Sequence, residues 1–258
     1  MGRIVFLGSG TSTGVPLIGC KCSVCTSQNP KNKRLRSSLY FEYEGKKILI
    51  DVTPDFRTQA LNNNINWLDA VLITHSHADH INGFDDIRQI NFLMKWQEIP
   101  IFLNLPSSLE LQMRFDYIFR ESQQLGGGKP LVKLHVLDDY DEINLGSLKI
   151  KTFFYYHGKM KVNGFMTDKF AYITDCSFLP SQSLELIKGT KILILGALRY
   201  LPHSTHFTVS EAINLVKYVK PEITYLTHMG HDIDYDKIYN ELKDKKIFPA
   251  YDGLNIEI

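Results

Sequence analysis

HSHADH, residues 75–80, follows the apolar run AVLIT at 70–74 and puts three imidazoles and a carboxylate into six positions, spaced by the small residues Ser76 and Ala78. Side chains of this kind held so close compete for protons and partners unless a cation organises them, and a pair of divalent metals does so. The plain alternative is a polar loop with a chance run of histidines. Three other apolar runs argue against it, because each ends on a residue of ligand type: LKIKTFFYY (148–156) at His157, FAYIT (170–174) at Asp175 and EITYLT (222–227) at His228. Each alone would be an ordinary loop residue. Together with His75, His77, Asp79 and His80 they make five histidines and two aspartates at strand ends, where sheet proteins gather ligands. Seven ligands exceed what one tetrahedral zinc takes and suit two metals sharing a carboxylate.

The alternation of apolar runs and polar loops continues in both directions. Strands are expected over RIVFLG (3–8), SSLYFEYEGKKILIDV (37–52, a hairpin turning at Glu44-Gly45), AVLIT, IPIFLN (99–104), LVKLHV (131–136), LKIKTFFYY, KFAYIT (169–174), KILILG (191–196) and EITYLT. Helices fall near 54–62, 83–94, 107–119, 181–187, 208–219 and 234–243, and the GGG at 126–128 reads as a loop. That order predicts sheets stacked face to face with helices outside. With 258 residues, 44% of them hydrophobic, and no repeat or linker, one domain over 1–258 is expected. The IVFLG run near the start is too short for a signal-peptide core, and no apolar run approaches ~18 residues, so a cytoplasmic protein without membrane contact is expected. Twenty-nine Lys and Arg against 28 Asp and Glu leave no basic surplus of the kind an obligate nucleic-acid binder carries. A nucleic-acid partner beyond a short oligonucleotide is therefore not expected.

With His157, Asp175 and His228, the HSHADH motif resembles the metallo-β-lactamase superfamily, whose fold is an α/β four-layer αββα sandwich with a binuclear metal site between two sheets. The resemblance implies that His75, His77 and His157 hold one metal, that Asp79, His80 and His228 hold the other, and that Asp175 bridges them.

GCKCSVC, residues 19–25, holds three of the chain's four cysteines. An odd cluster cannot pair off internally, and disulfides are rare in a reducing cytosol. The C-x-C-x2-C spacing of Cys20, Cys22 and Cys25 lets one tight loop offer three thiolates to a tetrahedral zinc. Its fourth ligand would be Cys176, beside Asp175, or, better placed, His231, which follows His228 across the turn Met229-Gly230. Such a zinc is structural, tying the amino-terminal loop to the loop that carries His228. GTSTGVPLIGCKCSVC (10–25), HADHINGFDDIR (77–88) and THMGH (227–231) resemble the superfamily branch containing the phosphodiesterase for phosphoribosyl cyclic phosphate. The chain departs from that branch at KMKVNGFMTDK (159–169) and at Cys176, which bears on substrate identity more than on reaction type. GSGTSTG (8–14) fails as a nucleotide-binding loop, because Thr13 stands where the fingerprint needs Gly and no helix follows. Gly8, Gly10 and Gly14 are expected to be backbone turns near the metals.

Thr208 and Glu211 in HSTHFTVSEA (203–212) have capping-box spacing, so His206 precedes the positive end of a helix, a place that favours anions. By the resemblance, His206 contacts the scissile phosphate and stabilises charge or assists proton transfer to the leaving oxygen, with His203 as its rival for substrate contact. His135, inside an apolar strand, reads as structural. KNKRLR (31–36) reads as a solvated basic face from which Arg36 reaches a second substrate phosphate. The expected protein is a metal-dependent phosphodiesterase for a small cyclic phosphate or short phosphodiester. It would carry two Zn or Mn ions in the active site and one structural Zn, with Asp79 orienting a bridging hydroxide for in-line attack. A homodimer is compatible with this reading. Two alternatives share the ligands. One is an endonuclease trimming tRNA 3′ ends, which ordinarily lacks the cysteine cluster and carries an RNA-gripping arm not identifiable here. The other is a noncatalytic metal-stabilised binding protein with no accessible nucleophile.

Overall fold

Period-two alternation of apolar side chains builds the sheets in the computed structural model, which describes residues 2–120 and 128–258. β1 (Arg3–Gly8), β2 (Ser38–Tyr43) and β3 (Lys46–Ile50) open the chain. Glu44 and Gly45 both take positive φ, 50° and 72°, which suits a two-residue hairpin turn and pairs Tyr43 with Lys46. Next come α1 (Phe56–Asn62), β4 (Ala70–Leu72), α2 (Ala78–Ile81), α3 (Ile87–Leu93), β5 (Ile99–Asn104), α4 (Leu105–Arg114), α5 (Asp116–Phe119) and β6 (Val132–Leu137). β7 (Glu142–Leu145), β8 (Leu148–His157), β9 (Met160–Met166) and β10 (Phe170–Ile173) form a meander. Helices and strands then alternate through α6 (Ser181–Ile187), β11 (Ile192–Gly196), α7 (Val209–Val219), β12 (Ile223–Thr227), α8 (Tyr235–Leu242) and β13 (Ile247–Pro249), with β14 (Asn255–Glu257) last.

Among the described residues there are two seven-stranded sheets, ordered β14-β1-β2-β3-β4-β5-β6 and β13-β12-β11-β10-β9-β8-β7. Hairpins make one part of each sheet antiparallel; helical crossovers make β3 to β6 and β10 to β13 parallel. Alternate side chains of each strand feed different apolar layers. Ile4, Phe41, Ile50 and Leu72 meet Ile150, Phe165, Phe170 and Ile194 between the sheets, with Phe41 edge-on to Phe170 at 5.0 Å. Leu49, Val71 and Ile101 instead pack under Phe56, Ile90 and Leu111, and Ala171, Leu193 and Leu226 under Ile187, Val209 and Ile238. Each fully buried large apolar side chain contributes about 1.5–3 kcal/mol, so these layers hold the helix-sheet-sheet-helix stack together. This is the αββα sandwich. No helix of the described residues is long and apolar enough to cross a membrane.

Several expected elements are shifted, and each shift has a local cause. The helix expected over 107–119 starts two residues earlier, because the Asn104 side chain accepts from Ser107 N at 2.9 Å and Pro106 fits the first turn; it breaks at Phe115, leaving α4 and α5. The helix expected over 83–94 is a 3-10 turn at Phe84–Asp86 followed by α3. The run 159–169 supplies β9, which pairs with β8 from Lys151 opposite Met166 to His157 opposite Met160. Gly126 and Gly127 of the glycine run lie outside the described residues.

Candidate active site

β3, β4, β8, β10 and β12 run out at one edge of the sandwich, and the residues just beyond them converge. Asp51, after β3, is wholly buried and takes φ 64°. Its carboxylate accepts from Thr74 N at 2.8 Å, from the Thr74 hydroxyl at 2.8 Å and from His80 Nδ1 at 2.7 Å. The Thr74 hydrogen is thereby committed, so the 3.0 Å contact between Thr74 Oγ1 and His75 Nδ1 requires His75 to donate. Burial keeps His75 neutral, well below the usual imidazole range, and its lone pair is left on Nε2, 2.9 Å from His77 Nδ1. One buried carboxylate thus sets the tautomer of one histidine and the orientation of another.

His157 ends β8 and donates from Nδ1 to the Thr205 carbonyl at 2.7 Å, which leaves Nε2 free. His75, His77 and His157 form one group with ligand-type atoms all within 4.8 Å of one another; Asp79, His80, Asp175 and His228 form a second. Asp175 also joins His157 and His206 in an overlapping group. In the second group His80 Nε2 lies 3.1 Å from Asp79 Oδ2 and 3.2 Å from Asp175 Oδ2, yet is aligned for a hydrogen bond with neither. His228, 1% exposed, sits with Nε2 3.1 Å from Asp175 Oδ1, and both its ring nitrogens lack a hydrogen-bond partner. Orphaned buried nitrogens beside carboxylates are what a cation would satisfy, and this donor set fits divalent metals. Burial opposes charge here, but the Asp79, Asp51 and Asp175 carboxylates hold His80 well above its usual range, while His228 and His80 hold Asp175 well below its own. The pocket already pairs opposite charges at short range.

His206 packs its ring 4.5 Å from that of His157 and stacks on His228 at 5.1 Å, with Nδ1 3.5 Å from Asp175 Oδ1. Burial, only partly opposed by Asp175, pushes it down to about 3, so it is neutral at physiological pH. The capping box at Thr208 and Glu211 is present at the start of α7. His203 lies 5.0 Å from His206, ring to ring. His135 stacks on Phe102 at 4.9 Å, outside these groups.

The thiols of Cys20, Cys22 and Cys25 meet His231, with Cys20 Sγ 3.3 Å and Cys22 Sγ 3.5 Å from its Nδ1. Cys176 belongs elsewhere, buried in the layer under α7. The Cys25 amide donates to Cys22 Sγ at 3.4 Å and pulls that thiol down to about 6, whereas burial pushes Cys25 up to about 11. The basic run 31–36 is not uniformly a solvated face. Arg34 is 2% exposed and donates to the carbonyls of Gly230 at 3.0 Å and Ile233 at 2.7 Å, bracing the His231 loop from the other side. Arg36 pairs with Asp55 at 3.0 Å and donates from Nε to the Ser12 carbonyl at 3.1 Å. Of the three glycines expected as turns only Gly14 has positive φ, at 66°. Gly8 and Gly10 are required by close approach instead, since a Cβ on Gly8 would stand 2.0 Å from the Arg36 carbonyl oxygen.

Asp51 and Arg34 are the site-building residues that sequence reasoning missed. Asp51 follows an apolar strand as His157 and Asp175 do, so the strand-end rule could have found it; nothing separates Arg34 from its basic neighbours.

A sandwich with two convergent His/Asp groups at its strand ends defines a class, the metallo-hydrolases of this fold. Residues 46–229 match the family described as "Beta-lactamase superfamily domain", and the chain belongs to that family. A solved structure, a "New Diphosphatase from the PhnP Family", is 37% identical with a TM-score of 0.92, covering 100% of this chain and 98% of that one. The octanoyltransferase of Porphyromonas gingivalis is 35% identical over 254 residues, 98% of this chain and 51% of the relative, so the chain spans about half its length. Ribonuclease Z of Methanopyrus kandleri is 22% identical over 89% of this chain and 94% of that protein.

Proposed function

We propose that this chain is a metal-dependent phosphodiesterase acting on a small cyclic phosphate or short phosphodiester. The observation that carries the reading is His206 stacked beside two metal-competent groups that share a carboxylate neighbour. His75, His77 and His157 would hold one divalent cation, Zn or Mn, and Asp79, His80 and His228 a second, with Asp175 between them. When bound, such a pair lowers the pKa of a water and offsets phosphoryl charge. Asp79, about one-tenth exposed, is placed to orient the attacking water. His206, neutral in this pocket, would donate its ring N–H to the phosphoryl or departing oxygen and stabilise the charge that develops there. Cys20, Cys22, Cys25 and His231 would hold a structural zinc, and their unpaired thiols fit a reducing compartment such as the cytoplasm.

A second reading, hydrolysis of a diphosphate linkage, is favoured by the full-length likeness to the PhnP-family diphosphatase. Side-by-side assays of ribose cyclic phosphates, nucleoside diphosphate esters and precursor tRNA across a salt series test both. We expect turnover of the cyclic phosphates with shallow salt dependence of kcat/KM. Cleavage of only the diphosphate esters establishes the second reading, and strongly salt-sensitive cleavage of tRNA alone overturns both in favour of an endonuclease.

A further inference from the structure

We infer that His203 is a positioning residue that fixes, through the Thr205 backbone, both the ring of His157 and the placement of His206. The inference rests on the reading above, in which His157 holds a metal and His206 meets the phosphate.

Thr205 N lies 3.3 Å from His203 Nδ1 and the Thr205 hydroxyl 3.2 Å from the same atom. A backbone N–H can only donate, so Nδ1 carries the lone pair and the hydroxyl donates to it as well. On the opposite side of the same residue, the Thr205 carbonyl accepts from His157 Nδ1 at 2.7 Å. The next residue in the chain is His206. Thr205 therefore carries two loads, the carbonyl that orients one imidazole and the backbone that presents another, and His203 holds it by its N–H and hydroxyl. Two further contacts stop the loop from swinging. Arg199 donates to the carbonyls of Leu201 at 3.1 Å and Pro202 at 2.7 Å, fixing the approach to His203. Gly158, at φ 62° directly after His157, packs so near Thr205 that a Cβ there would stand 2.8 Å from its methyl group.

The competing role is direct substrate contact through His203 Nε2, which carries the hydrogen in this tautomer. Two substitutions separate the roles, because the Asn side-chain oxygen takes the place of Nδ1 whereas the Gln amide extends to that of Nε2. His203→Ala, His203→Asn and His203→Gln should be compared for Zn affinity in chelator competition without substrate, for kcat and KM on the best phosphodiester, and for melting temperature. If His203 positions, Ala and Gln weaken the active-site Zn by about 10-fold and lower kcat by about 10- to 100-fold with little change in KM, and Asn restores both to within about threefold. Recovery by Gln and not Asn overturns the inference in favour of substrate contact. Wild-type affinity and kcat in all three overturn it outright. His157→Ala is the parallel control: if it leaves Zn binding intact, the metal reading itself has failed, independently of His203.

Discussion

The His/Asp site and the thiol cluster of this protein are built in opposite ways. In the His/Asp site the side chains come from four strand ends, after β4, β8, β10 and β12, and three of the imidazoles are aimed by hydrogen bonds from residues outside the two groups: Thr74 for His75, Asp51 for His80 and the Thr205 carbonyl for His157. In the thiol group three of four members sit on one short loop over a small apolar patch of Val15 and Val24, and the His231 ring meets the sulfurs of Cys20 and Cys22 directly. Hydrogen bonds of the scaffold organise much of the first, whereas the zinc proposed for the second would organise much of it. Chelation should therefore leave the catalytic pocket folded but empty and loosen the thiol loop.

The largest effects are expected in the His/Asp site. Asp175→Ala should lose active-site metal and at least about 10³-fold in kcat while keeping the thiol zinc. His206→Ala should keep all metals and lose about 10²-fold or more in kcat. Elemental analysis with steady-state kinetics checks both, and equal metal loss in the two variants would demote His206 to a structural residue. A smaller effect is expected in the thiol group. Cys25→Ser should shed one tightly held zinc and lower the melting temperature by on the order of 5–10 °C, with activity falling less than about tenfold. Unchanged zinc content and melting temperature would show that the thiols serve some other purpose. The smallest effect belongs to Arg36, partly exposed and already paired with Asp55. Arg36→Ala should raise KM about threefold at unchanged kcat, the size a screened surface contact supports; an unchanged KM would leave Arg36 as the partner of Asp55 alone.

The same contrast explains what could be read in advance. The convergence of His and Asp side chains at strand ends was legible because apolar runs announce strands and a polar residue directly after one is conspicuous. The thiol loop was legible from spacing alone. Its bracing was not, since Arg34 differs from Lys33 and Arg36 only in where the chain turns it, into the carbonyls of a loop about 200 residues later. The edge strands β7, β13 and β14 escaped notice for a related reason. They are short, and their pairing depends on neighbours distant in sequence, as Ile4 opposite Ile256 illustrates. α2 is a single turn that carries Asp79 and His80, and a turn of four residues has no period to detect.

Ser9 donates to Asp252 from its amide and its hydroxyl, both at 2.9 Å across 243 positions, and Leu35 donates to the same carboxylate across 217. On the ribosome this has a consequence in time. The three cysteines leave the exit tunnel early, but His231 is made roughly 10–40 s after Cys25 at ordinary elongation rates, and Asp252 later still. For that interval the cysteines form an incomplete, exchangeable site next to a loop with nothing to dock on. The cysteine segment is thus translated well before the residues that seat it, and its closure waits for His231 and Asp252.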